Sequence, residues 1–431
     1  MGKSRKLLGT PIGLPAMLLG GPGVALTVPG VRTASYIAGS LWDGLLQTAS
    51  GDRKRKSPSL SAKLAAKVAA DEAARTLMLG MAHFPSRSQR ARIREELSSA
   101  LVLWEENGWL SDARAFHRTP PPLTRPRIER RQVGGLDFEH ISFKSLYRPR
   151  SEEPGGDRWL SMEPNRTAHA WMLRHADPDR AWIVCIPGFR MGHPRIDLHG
   201  LSAARFHHER GLNVLIPVLP LHGPRTVGKR SGDGFITADV LNTVHAEAQA
   251  MWDIRRMIGW VRGLGASALG VYGVSLGGYN TALLAGLEPD LDCAVAGIPA
   301  TCLSTLLRLH APRPLLWLGE RAGICMDMLQ SVLQVVSPLA VAPQLPRERR
   351  FIFAGLADRL IPTHQVHQLY EHWDRPRTAW YEGTHLSFVW EEAVHQLLDE
   401  ALGAGGMLSH AVTPQDEDFA AIQYALATRA A

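Results

Sequence analysis

Gly273-Val274-Ser275-Leu276-Gly277 follows an apolar run at residues 268–272 and opens a helix-like stretch at 278–284. A serine at the tip of so tight a strand-to-helix turn sits in strained backbone, and glycines two positions to either side let strand and helix approach each other. A serine hydroxyl is a weak nucleophile at neutral pH, so it needs a base to take its proton and an acid to orient that base. Two residues downstream fit those roles. Asp358 follows a strand-like segment at 349–355, and His385 follows another at 378–383. Ser275, Asp358 and His385 therefore stand in the chain order nucleophile, acid, base, each just after a strand.

The elements that must position these residues are also legible. Residues 181–186 and 213–219 read as buried strands, and residues 237–262 as a long helix with Val240, Val244, Ala248, Met251, Ile254, Ile258 and Val261 on one face and Asp239 or Thr237 as its cap. Strands alternating with amphipathic helices predict an α/β chain with a mostly parallel sheet and helices on both faces. On the three motifs together, residues from about 135 to 402 resemble an α/β-hydrolase-fold serine hydrolase of the esterase and lipase kind.

The resemblance implies an oxyanion hole made by the backbone N–H groups of Phe189, after the strand ending Ile186-Pro187-Gly188, and of Leu276, after the nucleophile. It also implies a cap in the apolar insertion at about 300–345. The stripe of leucines, methionines and Trp317 there reads equally as a lid over an acyl pocket or as ordinary helix packing. Arg190 and His222 lie on loops at the same edge and are candidate substrate contacts. The expected substrate is a small-molecule ester with an apolar acyl group. Acyl-enzyme chemistry at Ser275 requires no metal and no organic cofactor, so none is expected. The same three residues also serve an acyltransferase, an amidase or a peptidase, and a hydrolase-like scaffold that only binds is a further alternative. Epoxide and haloalkane chemistry is disfavoured, because relatives with those activities carry aspartate where Ser275 stands.

A chain of 431 residues with 45% hydrophobic content exceeds one ordinary domain, which predicts a catalytic domain plus an appendage. The division expected is 1–130, 131–402 and a tail at 403–431, with the boundary marked by the proline-dense segment 117–126. Residues 1–130 carry 20 Lys and Arg against 10 Asp and Glu, net +10, while the rest carry 28 against 31, net −3. The positive charge thus belongs to the appendage. Within it, residues 7–31 have no charge but are broken by Pro11, Pro15, Pro22 and Pro29, which argues against a spanning helix or a signal peptide. That composition fits either a helical subdomain with a solvated basic face or peripheral contact with an anionic membrane surface. Helices are expected at 61–81 and 88–107, the second with Ile93, Leu97, Leu101 and Trp104 on one face. No zinc-binding, helix-turn-helix or RNA-binding signature accompanies the basic residues, so nucleic acid is not an expected partner. Cys185, Cys293, Cys302 and Cys325 form no CxxC pair, which predicts reduced thiols and a cytoplasmic protein.

Overall fold

The computed structural model describes residues 33–34, 36, 59, 61–79, 84–177 and 179–408. The uncharged stretch at 7–31, the basic clusters at 3–6 and 53–56, the end of the first expected helix and the tail beyond 408 lie outside the described residues.

Among the described residues, nine strands form one sheet. They are β1 (Arg127–Val133), β2 (Leu136–Lys144), β3 (Thr167–Leu173), β4 (Trp182–Ile186), β5 (Asn213–Val218), β6 (Leu269–Val274), β7 (Cys293–Gly297), β8 (Arg350–Gly355) and β9 (Arg377–Tyr381), in the spatial order β1-β2-β3-β5-β4-β6-β7-β8-β9. The first three are antiparallel neighbours and β3 is antiparallel to β5, whereas every pairing from β5 to β9 is parallel. With its crossover helices this is the α/β-hydrolase sheet, extended by antiparallel strands at one edge.

The principal helices are α1 (Ala62–Leu79), α2 (Arg87–Glu106), α3 (Val240–Gly263), α4 (Leu276–Leu287), α5 (Leu303–His310), α6 (Arg313–Arg321), α7 (Met326–Leu333), α8 (Thr363–His372) and α9 (Glu392–Ala404). The period-two alternation of β4 shows how the sheet is buried on both faces. Trp182, Val184 and Ile186 pack with Met251, Ile254 and Ile258 of α3, while Ile183 and Cys185 face Leu397 and Leu398 of α9.

Three expectations need correction. β1 begins at Arg127, so the sheet starts before the boundary drawn at 130. Its sequence, RIERRQV, is an exposed edge without the apolar alternation that marks a half-buried strand. Second, α2 belongs to the main body. Ser86 and Gln89 close a capping box at its start, and Ile93, Leu97, Ala100 and Trp104 are buried against Val240 and Val244 of α3 and Leu329 and Val332 of α7. Leu101 only borders that cluster. Third, Asp239 does not cap α3 with its side chain; its carboxylate pairs with Arg92 at 2.6 Å and Arg158 at 3.3 Å. A charge-assisted bond to guanidinium is stronger than one to a neutral N–H, and it competes successfully for the carboxylate.

The insertion at 300–345 divides between its two readings. Leu329, Val332 and Leu333 of α7 are core, whereas no residue of α6 is buried and Trp317 is 53% exposed. Beside α7, Tyr279, Thr301, Leu303, Gln334, Leu339 and Gln368 line part of a cavity of about 200 Å³.

Candidate active site

β6 delivers Ser275 at φ +60°, ψ −115°, a conformation L-residues rarely adopt, which costs on the order of 1–3 kcal/mol unless its surroundings enforce it. Here they do. The Ser275 N–H donates to Gly297 O at 2.9 Å, and its carbonyl accepts the N–H groups of Tyr279 at 3.0 Å and Ala300 at 3.3 Å. The flanking glycines answer a close approach. A Cβ on Gly273 would stand 2.3 Å from Gly277 O, and one on Gly277 would stand 2.0 Å from Ile186 O. The end of β4 and the start of α4 therefore touch, and a Cβ on Gly188 would come within 3.6 Å of the Ser275 Cβ.

β8 and β9 bring Asp358 and His385 together. His385 Nδ1 and Asp358 Oδ2 lie 2.7 Å apart, both side chains nearly buried. The other carboxylate oxygen, Oδ1, accepts the backbone N–H groups of Leu360 and Ile361, each at 2.8 Å. Asp358 is thus held by its own turn with one oxygen left for the imidazole, which assigns the Nδ1 proton to that bond. Burial works against a charged imidazole, but the charge and hydrogen bond of Asp358, with a contribution from Asp71, outweigh it and raise the His385 pKa above its ordinary value. Ser275 stands at the same carboxyl edge of the sheet, at the end of β6, and among the described residues no hydrogen bond joins it to His385.

Leu276 opens α4, so its N–H is one of the first-turn donors that no intrahelical carbonyl reaches. Phe189 follows β4 across from it, on a loop clamped in place from behind. Arg190, at φ +72°, stacks its guanidinium 4.9 Å from the Phe189 ring centroid and binds Ser231 O at 3.0 Å and the Asp233 carboxylate. It therefore bridges the two loops. His222 needs correction as a substrate contact. It has no exposed surface, its ring packs edge-on against Phe189 and Phe235, and its Nδ1 lies 2.8 Å from Pro220 O. Burial pushes its pKa down to about 4, so the imidazole is neutral and buttresses Phe189 from behind.

The sequence reading missed the acid supplied by α1. Asp71 and Glu72 are both fully buried. Asp71 Oδ2 accepts the N–H of His385 at 2.8 Å and of Arg359 at 3.3 Å, and Oδ1 accepts that of Leu386 at 3.1 Å. Glu72 pairs with Arg359 at 3.0 Å. An adjacent acidic pair in an alanine-rich helix was the available signal, but nothing in the helix tells which surface it meets.

No family model matches the chain. Two Mycobacterium tuberculosis relatives, the uncharacterized proteins MT2702 and Rv2627c, are each 38% identical to it over 395 residues, spanning 90% of this chain and 93% of each relative. The chain belongs to their family. Among solved structures it is similar to an acetyl xylan esterase from a Paenibacillus species (17% identity, TM-score 0.44, 66% of this chain and 88% of that one). It is also similar to acetyl xylan esterase 1 from a Thermoanaerobacterium species (15% identity, TM-score 0.42, 69% and 98%).

Proposed function

We propose that this chain is a serine hydrolase that cleaves a carboxylic ester through an acyl-enzyme. The observation that carries this is the 2.7 Å bond from His385 to an Asp358 already fixed by its own turn, at the same sheet edge as a serine held at φ +60°.

His385 Nε2 takes the Ser275 Oγ proton as Oγ attacks the ester carbonyl, and then returns it to the departing alcohol. Asp358 keeps Nδ1 protonated, leaving Nε2 free to accept, and stabilises the imidazolium that forms. The N–H groups of Leu276 and Phe189 meet the oxyanion of the tetrahedral intermediate, each worth roughly 3 kcal/mol where such donors have been removed in other enzymes. Water, deprotonated by the same imidazole, then releases the acid and restores Ser275. Leu386, the chain neighbour of His385 and 36% exposed, offers apolar surface and favours an apolar acyl group.

A panel of p-nitrophenyl esters from acetate to laurate, run on the wild type and Ser275→Ala, tests the proposal. Turnover by the wild type alone is expected, with the product appearing as free acid. Absence of turnover across the panel, or equal turnover by Ser275→Ala, would overturn it. Product appearing instead on an added alcohol or amine would reassign the enzyme as an acyltransferase.

A further inference from the structure

The strongest unassigned feature is the carboxylate that α1 inserts beneath the triad. Asp71 binds backbone on both sides of the Asp358–His385 pair: the N–H of Arg359, next to the acid, and the N–H groups of His385 and Leu386, in the base's loop. One side chain therefore fixes the separation of two loops that leave different strands. A backbone N–H bond to a buried carboxylate is charge-assisted and geometrically strict, and three converge on this one.

The helix is anchored on either side of the clamp. Lys67 pairs with Glu391 at 2.5 Å, and Glu391 in turn accepts from Ser387 Oγ at 2.7 Å in the His385 loop. Leu64 and Val68 pack on Ala357, the residue before Asp358. Glu72 holds the Arg359 guanidinium, which lies 4.7 Å from the Tyr36 ring centroid.

Resting on the reading of Ser275, His385 and Asp358 as a triad, we propose that Asp71 is a positioning residue: it locks the His385 and Asp358 loops in register and adds a second negative charge behind the imidazole as it becomes cationic. Burial and the nearby Asp358 charge raise the pKa of Asp71, while His385 and the backbone donors oppose that rise. The ionisable groups facing this cluster are Asp358 and His385, Tyr381 from β9, His310 from α5, and the Glu72, Arg75, Arg359, Lys67 and Glu391 side chains.

The test uses the full chain with Asp71→Asn, Asp71→Ala and, as a docking control, Lys67→Ala. A misplacement of about 1 Å at a reacting group can cost about a hundredfold in rate. Asp71→Asn should therefore lower kcat by about ten- to a hundredfold with KM within about twofold of wild type. Its acidic limb of kcat/KM should also move to lower pH, because losing a negative charge lowers the His385 pKa and leaves the base neutral further into acid. Lys67→Ala should lower Tm without moving that limb. The proposal is overturned if Asp71→Asn keeps kcat within about twofold of wild type, or if its loss tracks Tm with the limb unmoved, as a merely structural residue would.

Hydrogen exchange on the wild type checks the clamp without any variant and without any substrate. The His385 and Leu386 amides should exchange as slowly as the sheet core, and exchange at loop rates would remove the clamp. Protected amides in a protein that turns over no ester would locate the failure in the proposed function, whereas an active enzyme with unprotected amides would locate it here.

Discussion

Replacing Asp358 with asparagine exchanges one oxygen for an amide nitrogen, and the structure dictates which one. Oδ1 receives two backbone N–H groups, from Leu360 and Ile361. An amide NH2 turned toward them would set donor against donor, leaving buried groups unsatisfied at roughly 1–3 kcal/mol each. The amide oxygen must therefore stay in that position, and the NH2 must face His385 Nδ1. An NH2 there demands an unprotonated Nδ1, which moves the imidazole proton to Nε2, the atom that has to accept from Ser275. Wrong-tautomer substitutions of this kind in another triad lower kcat by about 10⁴, or about 5.5 kcal/mol at about 1.36 kcal/mol per decade. The fold should persist, since all three hydrogen bonds at residue 358 survive, only the one to His385 with its polarity reversed. The assay is kcat/KM on a soluble p-nitrophenyl ester for wild type and Asp358→Asn, with thermal melts of both and Asp374→Asn as control. Asp374 is exposed in the turn before β9, and its loss should be silent. Activity of Asp358→Asn within about tenfold of wild type, or a loss in Asp374→Asn instead, would show that Asp358 does not set the His385 tautomer.

Because His385 is held above its ordinary pKa of 6.5 and must be neutral to act as base, kcat/KM should rise with pH through an apparent pKa above 6.5; a plateau already reached at about pH 6 would contradict that. Trp104 has no exposed surface, donates Nε1–H to Val332 O at 3.1 Å and packs its ring 5.6 Å from those of Trp109 and Phe116. Trp104→Ala should destabilise the protein by about 3–5 kcal/mol in urea unfolding, and a loss under about 1 kcal/mol would mean that α2 is not part of the core. Removing residues 1–31, with the cations Lys3, Arg5 and Lys6, should leave ester turnover intact but weaken co-sedimentation with anionic vesicles at low salt, by about 1 kcal/mol per cation. Full-length protein that ignores such vesicles at low ionic strength would rule out a membrane role.

Much that was local in the chain could be read from the sequence, though not the exposed edge strand β1, whose RIERRQV lacks apolar alternation. Strand β6, its strained turn and helix α4 follow from glycine spacing around Ser275, and α2 follows from Ile93, Leu97 and Trp104 at helical period. Asp358 and His385 were visible because each comes directly after a strand, and parallel strands put such residues on one edge. Side-chain direction was not legible. His222 follows a strand just as His385 does, yet its ring turns inward between Phe189 and Phe235, because a turn's dihedral angles, and not its composition, set where the side chain goes. Long-range docking was not legible either. Nothing in the periodicity of α1 records that Asp71 meets the backbone of residues more than 280 positions away. Likewise, the carboxylate of Asp239 was free to cap α3 until the fold brought Arg92 and Arg158 to it.

On this proposal Ser275 is a nucleophile activated by His385. Incubating the purified protein with a fluorophosphonate and measuring its intact mass, then mapping the modified peptide, tests this directly. A single adduct on Ser275 is expected, absent from Ser275→Ala and strongly slowed in His385→Ala. Stoichiometric labelling of Ser275→Ala, or a wild type that takes no label, would contradict it.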